Sequence, residues 1–148
     1  MLRELSDAVV HYDRLPHRRT TTARQEALAV GVREGDVAKT VILVAPTGFI
    51  RAVVPASKHV DLTKVRDLVG ADVRLATEAE LVGAYPMFEL GAVPPFGGPD
   101  GDTLILDVAV AERDSVVIEP GSHRESIRLK VDDLRILAPA RVADISTE

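Results

Sequence analysis

Val37-Ala38-Lys39-Thr40-Val41-Ile42-Leu43-Val44 is the stretch on which the fold turns. It holds one charge and is otherwise rich in β-branched and aliphatic side chains, which fit a pleated surface. Alternation puts Lys39 on one face with Val37, Val41 and Leu43, and Ala38, Thr40, Ile42 and Val44 on the other. Both faces are mostly apolar, so the strand is expected to be central and covered on both sides. Pro46-Thr47-Gly48 is a turn signal, and residues 50–54 form a second strand.

On the N-terminal side, Thr22 followed by Gln25 has the spacing of a capping box and opens a helix carrying Ala23, Ala27, Leu28 and Val30. Gly31 is placed to end it. Pro16 breaks the segment before it, and Leu2, Leu5 and Val9 have helical spacing, which predicts a short opening helix. On the C-terminal side, Asp61 caps a helix with Leu62, Val65 and Leu68, stopped by Gly70. Residues 73–76 read as a short strand, and Thr77 with Glu80 as a second capping box opening a helix to about Val82. Strands are predicted at 103–108, 115–119 and 126–130, and a last helix from Asp132 or Asp133 through Leu137. The tail, residues 138–148, shows no clear pattern and reads as loose. Strict βαβ alternation is absent, so the expected class is α+β: a single domain with a mixed, curved, barrel-like sheet surrounded by short helices.

Composition sets limits on function. The 148 residues make one domain, 46% hydrophobic and 28% charged, in the globular range. With no cysteine, a disulfide scaffold, a thiolate metal site and a cysteine nucleophile are excluded. The longest apolar run, residues 41–46, is far short of the ~20 residues that cross a bilayer. Met1-Leu2-Arg3-Glu4-Leu5 has no signal-peptide pattern, so a cytoplasmic, membrane-independent protein is expected. The net charge of −5 is unlike that of a protein that coats duplex DNA.

Four features are candidates for chemistry. Lys39 is one of only four lysines among eighteen cations. At a strand entrance it can snorkel to solvent, or stay partly desolvated as an ammonium that polarises an oxygen. The segment 83–101 holds nine of the chain's nineteen glycines and prolines and three of its five aromatics. Within it Gly91-Ala92-Val93-Pro94-Pro95-Phe96-Gly97 is either a rigid turn or a loop whose backbone clamps a small polar group. Gly121-Ser122-His123 offers an imidazole that could position a water or a ribose hydroxyl, or a plain surface histidine. The segment 13–24 carries Arg14, Arg18, Arg19 and Arg24 against Asp13 alone, which is a solvated face or a contact for RNA phosphates. The histidines have no metal-site spacing.

Taken together, Val37-Ala38-Lys39-Thr40-Val41, residues 91–97, and Pro120-Gly121-Ser122-His123 followed by Ile127-Arg128-Leu129 resemble the YbaK/EbsC family, free-standing relatives of the prolyl-tRNA synthetase editing domain. The order and separation of these blocks match from about Tyr12 to Leu137. The resemblance implies hydrolysis in trans of the ester of a mischarged aminoacyl-tRNA, without metal or cofactor. It implies Lys39 as the catalytic residue at the substrate's terminal adenosine and ester. Thr40 and the segment Gly91, Ala92, Val93, Pro94, Pro95, Phe96 and Gly97 would lie against the aminoacyl group. Gly121, His123, Tyr12 and His17 are expected around the pocket, and Arg14, Arg18 and Arg19 at the RNA. The implied partners are the aminoacyl-tRNA acceptor end and an aminoacyl-tRNA synthetase. The chain departs from the family pattern at Thr40, where some members have Asn, at Pro94-Pro95-Phe96-Gly97, which is bulkier, and at Glu119-Pro120. These differences bear on the amino acid more than on the reaction. Two rivals are a non-catalytic regulatory module binding an adenosine-bearing or aminoacylated ligand, and a hydrolase of small aminoacyl esters or amides that needs no tRNA.

Overall fold

The computed structural model describes residues 11–98 and 101–148. The predicted opening helix lies outside them. The quoted stretch forms β2 (Ala38–Ala45), which returns through Pro46-Thr47 into β3 (Gly48–Pro55), antiparallel and in register from Ala38 opposite Pro55 to Ala45 opposite Gly48. β3 is central. It runs parallel to β6 (Thr103–Asp107), which runs parallel to β9 (Arg141–Ala143), and β5 (Arg74–Leu75) borders β2 over Leu43 and Val44 alone. A second sheet has the order β1 (Tyr12–Pro16), β8 (Glu125–Lys130), β7 (Ser115–Ile118), all antiparallel. A parallel bridge from Val37 to Val117 joins the two. The sheet is mixed, as expected, with short helices around it.

Those helices begin where their caps dictate. Thr22 accepts from the Gln25 N–H ahead of α1 (Ala23–Val30). Gln25 does not complete the box at Thr22, since its side chain bonds the backbone and hydroxyl of Thr21 instead. Asp61 caps α2 (Leu62–Val69), and Thr77 and Glu80 close a full capping box on α3 (Glu78–Ala84). Asp107 caps a single turn, α4 (Val108–Ala111), which lacked a sequence signal. α5 (Val131–Leu137) starts one or two residues earlier than predicted. Its Asp132 and Asp133 lie in the first turn, favourable to the helix dipole, and neither is the cap.

The five-stranded sheet is covered on both faces. Leu43, Ile50, Ala52, Val54, Val65, Ile105 and Ile145 pack on one side, and Val53, Phe96, Leu106, Ile118, Ile127 and Leu134 on the other. Each fully buried aliphatic side chain contributes about 1.5–3 kcal/mol. Two further sequence expectations are corrected. Residues 12–16 are a strand, with Pro16 at its end, where a lost N–H costs no ladder bond. The tail is not loose. β9 extends the main sheet, β10 (Ser146–Thr147) pairs with β4 (His59–Val60), and Ile145 is fully buried.

Candidate functional site

Lys39 lies on β2 short of the point where β5 begins to pair, so that edge of β2 is open beside it. The Ile42 carbonyl points toward β5, where it accepts from the Ala76 N–H. By the two-residue period of a strand, the N–H and C=O of Thr40 point the same way, past the end of β5. They border a cavity of about 150 Å³. β2 contributes residues 38–41 to its wall, the proline-rich loop contributes Gly91, Ala92 and Val93, α1 and the residues before it contribute Thr21, Ala23 and Glu26, and β7 with the residue after it contributes Ile118 and Glu119.

Lys39 is half-buried, and its ammonium makes no hydrogen bond or ion pair to another described residue. Burial pushes its ammonium pKa below the ordinary lysine value, and the charge of Glu34 opposes that only in part. An ammonium held without a hydrogen-bond partner beside open backbone groups is a preformed site for a carbonyl or hydroxyl oxygen.

The proline-rich loop divides into two halves. Gly91 (φ +84°), Ala92 and Val93 face the cavity with Lys39. Pro94, Pro95, Phe96 and Gly97 turn away from it. Phe96 is a core residue, and the carbonyls of Pro94 and Gly97 accept from the two terminal nitrogens of Arg51 at 2.8 and 2.7 Å. Arg51 is 3% exposed and bonds Asp102 at 2.6 Å through Nε, and Asp102 also accepts from the Tyr85 hydroxyl at 2.6 Å. A buried guanidinium with all of this satisfied fixes the loop from beneath. A lone arginine in the apolar run Phe49-Ile50-Arg51-Ala52-Val53-Val54 was the sequence signal for it.

His123 does not present a free imidazole. It is 5% exposed, its Nε2 donates to the Leu90 carbonyl at 2.6 Å, and its Nδ1 lies 3.1 Å from a Glu119 oxygen. A carbonyl only accepts, so Nε2 carries a proton, and one further proton is shared between Nδ1 and the Glu119 carboxyl. Burial pushes the Glu119 carboxyl up to about 8, consistent with that proton. His123 thus positions the loop at Leu90 and Gly91. Gly121 serves the same junction, where its carbonyl accepts from the Glu89 N–H.

Of the other expected residues, Tyr12 lies on β1 opposite Leu129, on a shallow cleft with Lys130, and is absent from the cavity wall. His17 does not line the cavity either, but its Nε2 lies 2.9 Å from Ser126 Oγ, which bonds Glu26. Arg14 and Arg19 are paired with Glu125 and Glu89, while Arg18 is exposed. Glu26 was missed although its position advertised it. Residues 23, 26, 27 and 30 form one inward stripe of α1, with a carboxyl among three apolar side chains, whereas Leu28 off that stripe is 70% exposed. No helix among the described residues is long and apolar enough to cross a membrane, and no group of three or more of their His, Asp and Glu side chains could hold a metal ion.

Comparison with known proteins gives a consistent set of likenesses. The sequence profile of the aminoacyl-tRNA editing domain matches residues 17–137. No protein of curated function matches the chain. Among solved structures, a hypothetical protein superposes with a TM-score of 0.91 at 26% identity, over 99% of this chain and 98% of that one. A candidate trans-editing enzyme for prolyl-tRNA synthetase superposes with a TM-score of 0.86 at 28% identity, over 99% and 94%.

Proposed function

The chain belongs to the aminoacyl-tRNA editing domain family, of the YbaK-like kind, and from that premise we propose that it is a trans-acting deacylase, hydrolysing the ester of a tRNA mischarged with a small amino acid. The observation that carries the reading is Lys39, half-buried and facing a small cavity beside the open backbone of Thr40 and the Gly91 turn. In this reading the Lys39 ammonium holds the ester end of the terminal adenosine, and residues 91–93 and Thr40 border the aminoacyl group. Water attacks the ester carbonyl with help from the neighbouring ribose hydroxyl. Fixed N–H donors and the ammonium stabilise the oxyanion, a contribution typically of 100- to 1,000-fold per donor.

The cavity is small, about 150 Å³, which favours a short side chain. Editing is needed most for small apolar or hydroxylated side chains that a synthetic site cannot reject. The tRNA proposed is tRNA-Pro, by likeness to the candidate trans-editing enzyme for prolyl-tRNA synthetase. That synthetase is the proposed partner and the cytoplasm the proposed location. Arg18, with Arg14 and Arg19 once they exchange weak exposed ion pairs for phosphate, would meet the acceptor stem.

The test is loss of ester from tRNAs charged with Ala, Cys, Ser, Thr or Pro, with wild type and Lys39→Ala. Lysine-dependent hydrolysis of one mischarged species is expected. A folded Lys39→Ala variant that deacylates at the wild-type rate would overturn the mechanism.

A further inference from the structure

We propose that Glu26 exchanges a proton with the substrate in the Lys39 cavity, and that Ser126 and His17 carry that proton between Glu26 and solvent. The inference rests on the deacylase reading and adds to the substrate's ribose hydroxyl an acid–base group from the protein.

Three contacts form the path. Glu26 Oε2 lies 2.5 Å from Ser126 Oγ, Ser126 Oγ lies 2.9 Å from His17 Nε2, and His17 Nδ1 lies 2.6 Å from the Arg18 carbonyl. The Arg18 carbonyl can only accept, so His17 Nδ1 carries a proton and Nε2 of the neutral ring is bare. Two proton arrangements then satisfy every atom. In one, the Glu26 acid donates to Ser126 and Ser126 donates to His17. In the other, imidazolium His17 donates to Ser126 and Ser126 donates to the Glu26 carboxylate. Going from one to the other moves one proton from the cavity wall to a part-exposed histidine, with no heavy atom displaced.

The cavity end of the path is Glu26 Oε1. Glu26 is 2% exposed, and Oε1 has no hydrogen-bond partner among the described residues. No fully buried side-chain oxygen among them lacks a partner, so Oε1 keeps its access through the cavity that Glu26 lines. A carboxyl on the apolar stripe of α1 costs desolvation, which its one hydrogen bond to Ser126 offsets only in part. Of the groups around it, the Glu119 charge raises the Glu26 pKa and the Ser126 hydrogen bond and His123 lower it, while Lys39 shares the cavity wall and His17 lies beyond Ser126. Burial dominates and pushes Glu26 up to about 8, near the value a general base needs at neutral pH.

The step balances without a further reagent. Carboxylate Glu26 takes a proton from water as the water oxygen bonds to the ester carbonyl carbon. The tetrahedral intermediate expels the ribose oxygen as the C–O bond breaks, and Glu26 returns its proton to that oxygen. The released amino acid ionises, and its proton leaves through Ser126 and His17.

The pH dependence of single-turnover deacylation tests this, from about pH 6 to about pH 10, with uncatalysed hydrolysis subtracted. Wild type is expected to rise to a plateau with a midpoint near 8. Glu26→Gln is expected to lose about 100- to 10,000-fold and the rising limb with it. Ser126→Ala is expected to lower kcat with KM unchanged, which keeps the test valid should Glu26→Gln fail to fold. Infrared difference spectra over the same range, without substrate, are expected to show two protonated carboxyl bands in wild type, of which Glu26→Gln removes one and Glu119→Gln the other. Lysine-dependent deacylation that survives Glu26→Gln with its pH limb intact overturns the proposal and leaves the deacylase reading standing. Inactive wild type on every charged tRNA counts against the deacylase reading. The infrared result then decides the path alone, and absence of a band titrating near 8 that Glu26→Gln removes overturns it.

Discussion

At the scale of single residues, Gly121 shows how a loop can be set by what is missing. Its φ is +116°, and a Cβ there would stand 2.6 Å from Cδ1 of Phe88. Gly121→Ala therefore meets backbone strain and a clash together, and is expected to cost about 2–4 kcal/mol. Thermal melting would show it, and because Phe88 and Glu89 would shift the turn at Gly91, deacylation should fall more than stability alone explains. An unchanged melting temperature would contradict the contact. Lys39 behaves oppositely. Its ammonium is destabilised by burial, so Lys39→Ala is expected to melt no lower than wild type while losing at least about 100-fold in deacylation. Arginine should not restore it, since a planar guanidinium cannot take the place of a compact point charge. Lys39 was legible, because a charge inside an apolar strand needs a reason, and Arg51 carried the same signal and was passed over. Lys39 faces an opening and Arg51 holds a loop, and only their surroundings distinguish the two.

At the scale of elements, caps and hairpins could be read because their determinants lie within a few residues: Thr22, Asp61 and Thr77 each precede a helix that starts where they place it. The missed elements depend on distant partners. β9 has three residues and β10 two, too short for any period, and each becomes a strand only because β6 or β4 offers an edge. Asp107 is the tie. Fully buried at the end of β6, it accepts from the Ala109 N–H that opens α4, from the Ile145 N–H at 2.9 Å and from the Ser146 hydroxyl at 3.0 Å. Asp107→Ala removes a helix cap and leaves two buried donors unpaired, so about 3 kcal/mol should be lost. For a domain of this size that lowers melting by about 6–12 °C. Amide exchange at Ile145 should quicken more than at Val53 in the central strand. Equal protection at Ile145 in both proteins would show that the tail docks without Asp107.

At the scale of the whole molecule, the acidic net charge hides a division between two kinds of carboxyl. Asp36, Glu80 and Asp144 are held below their ordinary values, Asp36 by bonds from Arg33 against opposing desolvation, Glu80 by Arg74 and Asp144 by Lys64. They favour the fold above the ordinary carboxyl range and lose that contribution as pH falls through their folded values. Glu26 and Glu119 are held up to about 8 by burial, so the native state keeps protons that the unfolded chain releases near 4.5. Wherever the native state binds more protons, stability falls as pH rises. The fall should begin near 4.5, continue through about 8 and flatten beyond, at roughly 5 kcal/mol for one such carboxyl. Melting temperature is therefore expected to peak in mild acid and decline across neutrality. Glu26→Gln and Glu119→Gln should each flatten the decline, because a neutral amide has no proton to lose. A melting temperature that holds level or climbs between about pH 5 and 8 would mean that the two carboxyls are already ionised in the fold. At neutral pH the protein thus works on the slope of its stability curve, as expected if Glu26 is kept at the cavity for chemistry and Glu119 to hold His123, both at the expense of stability.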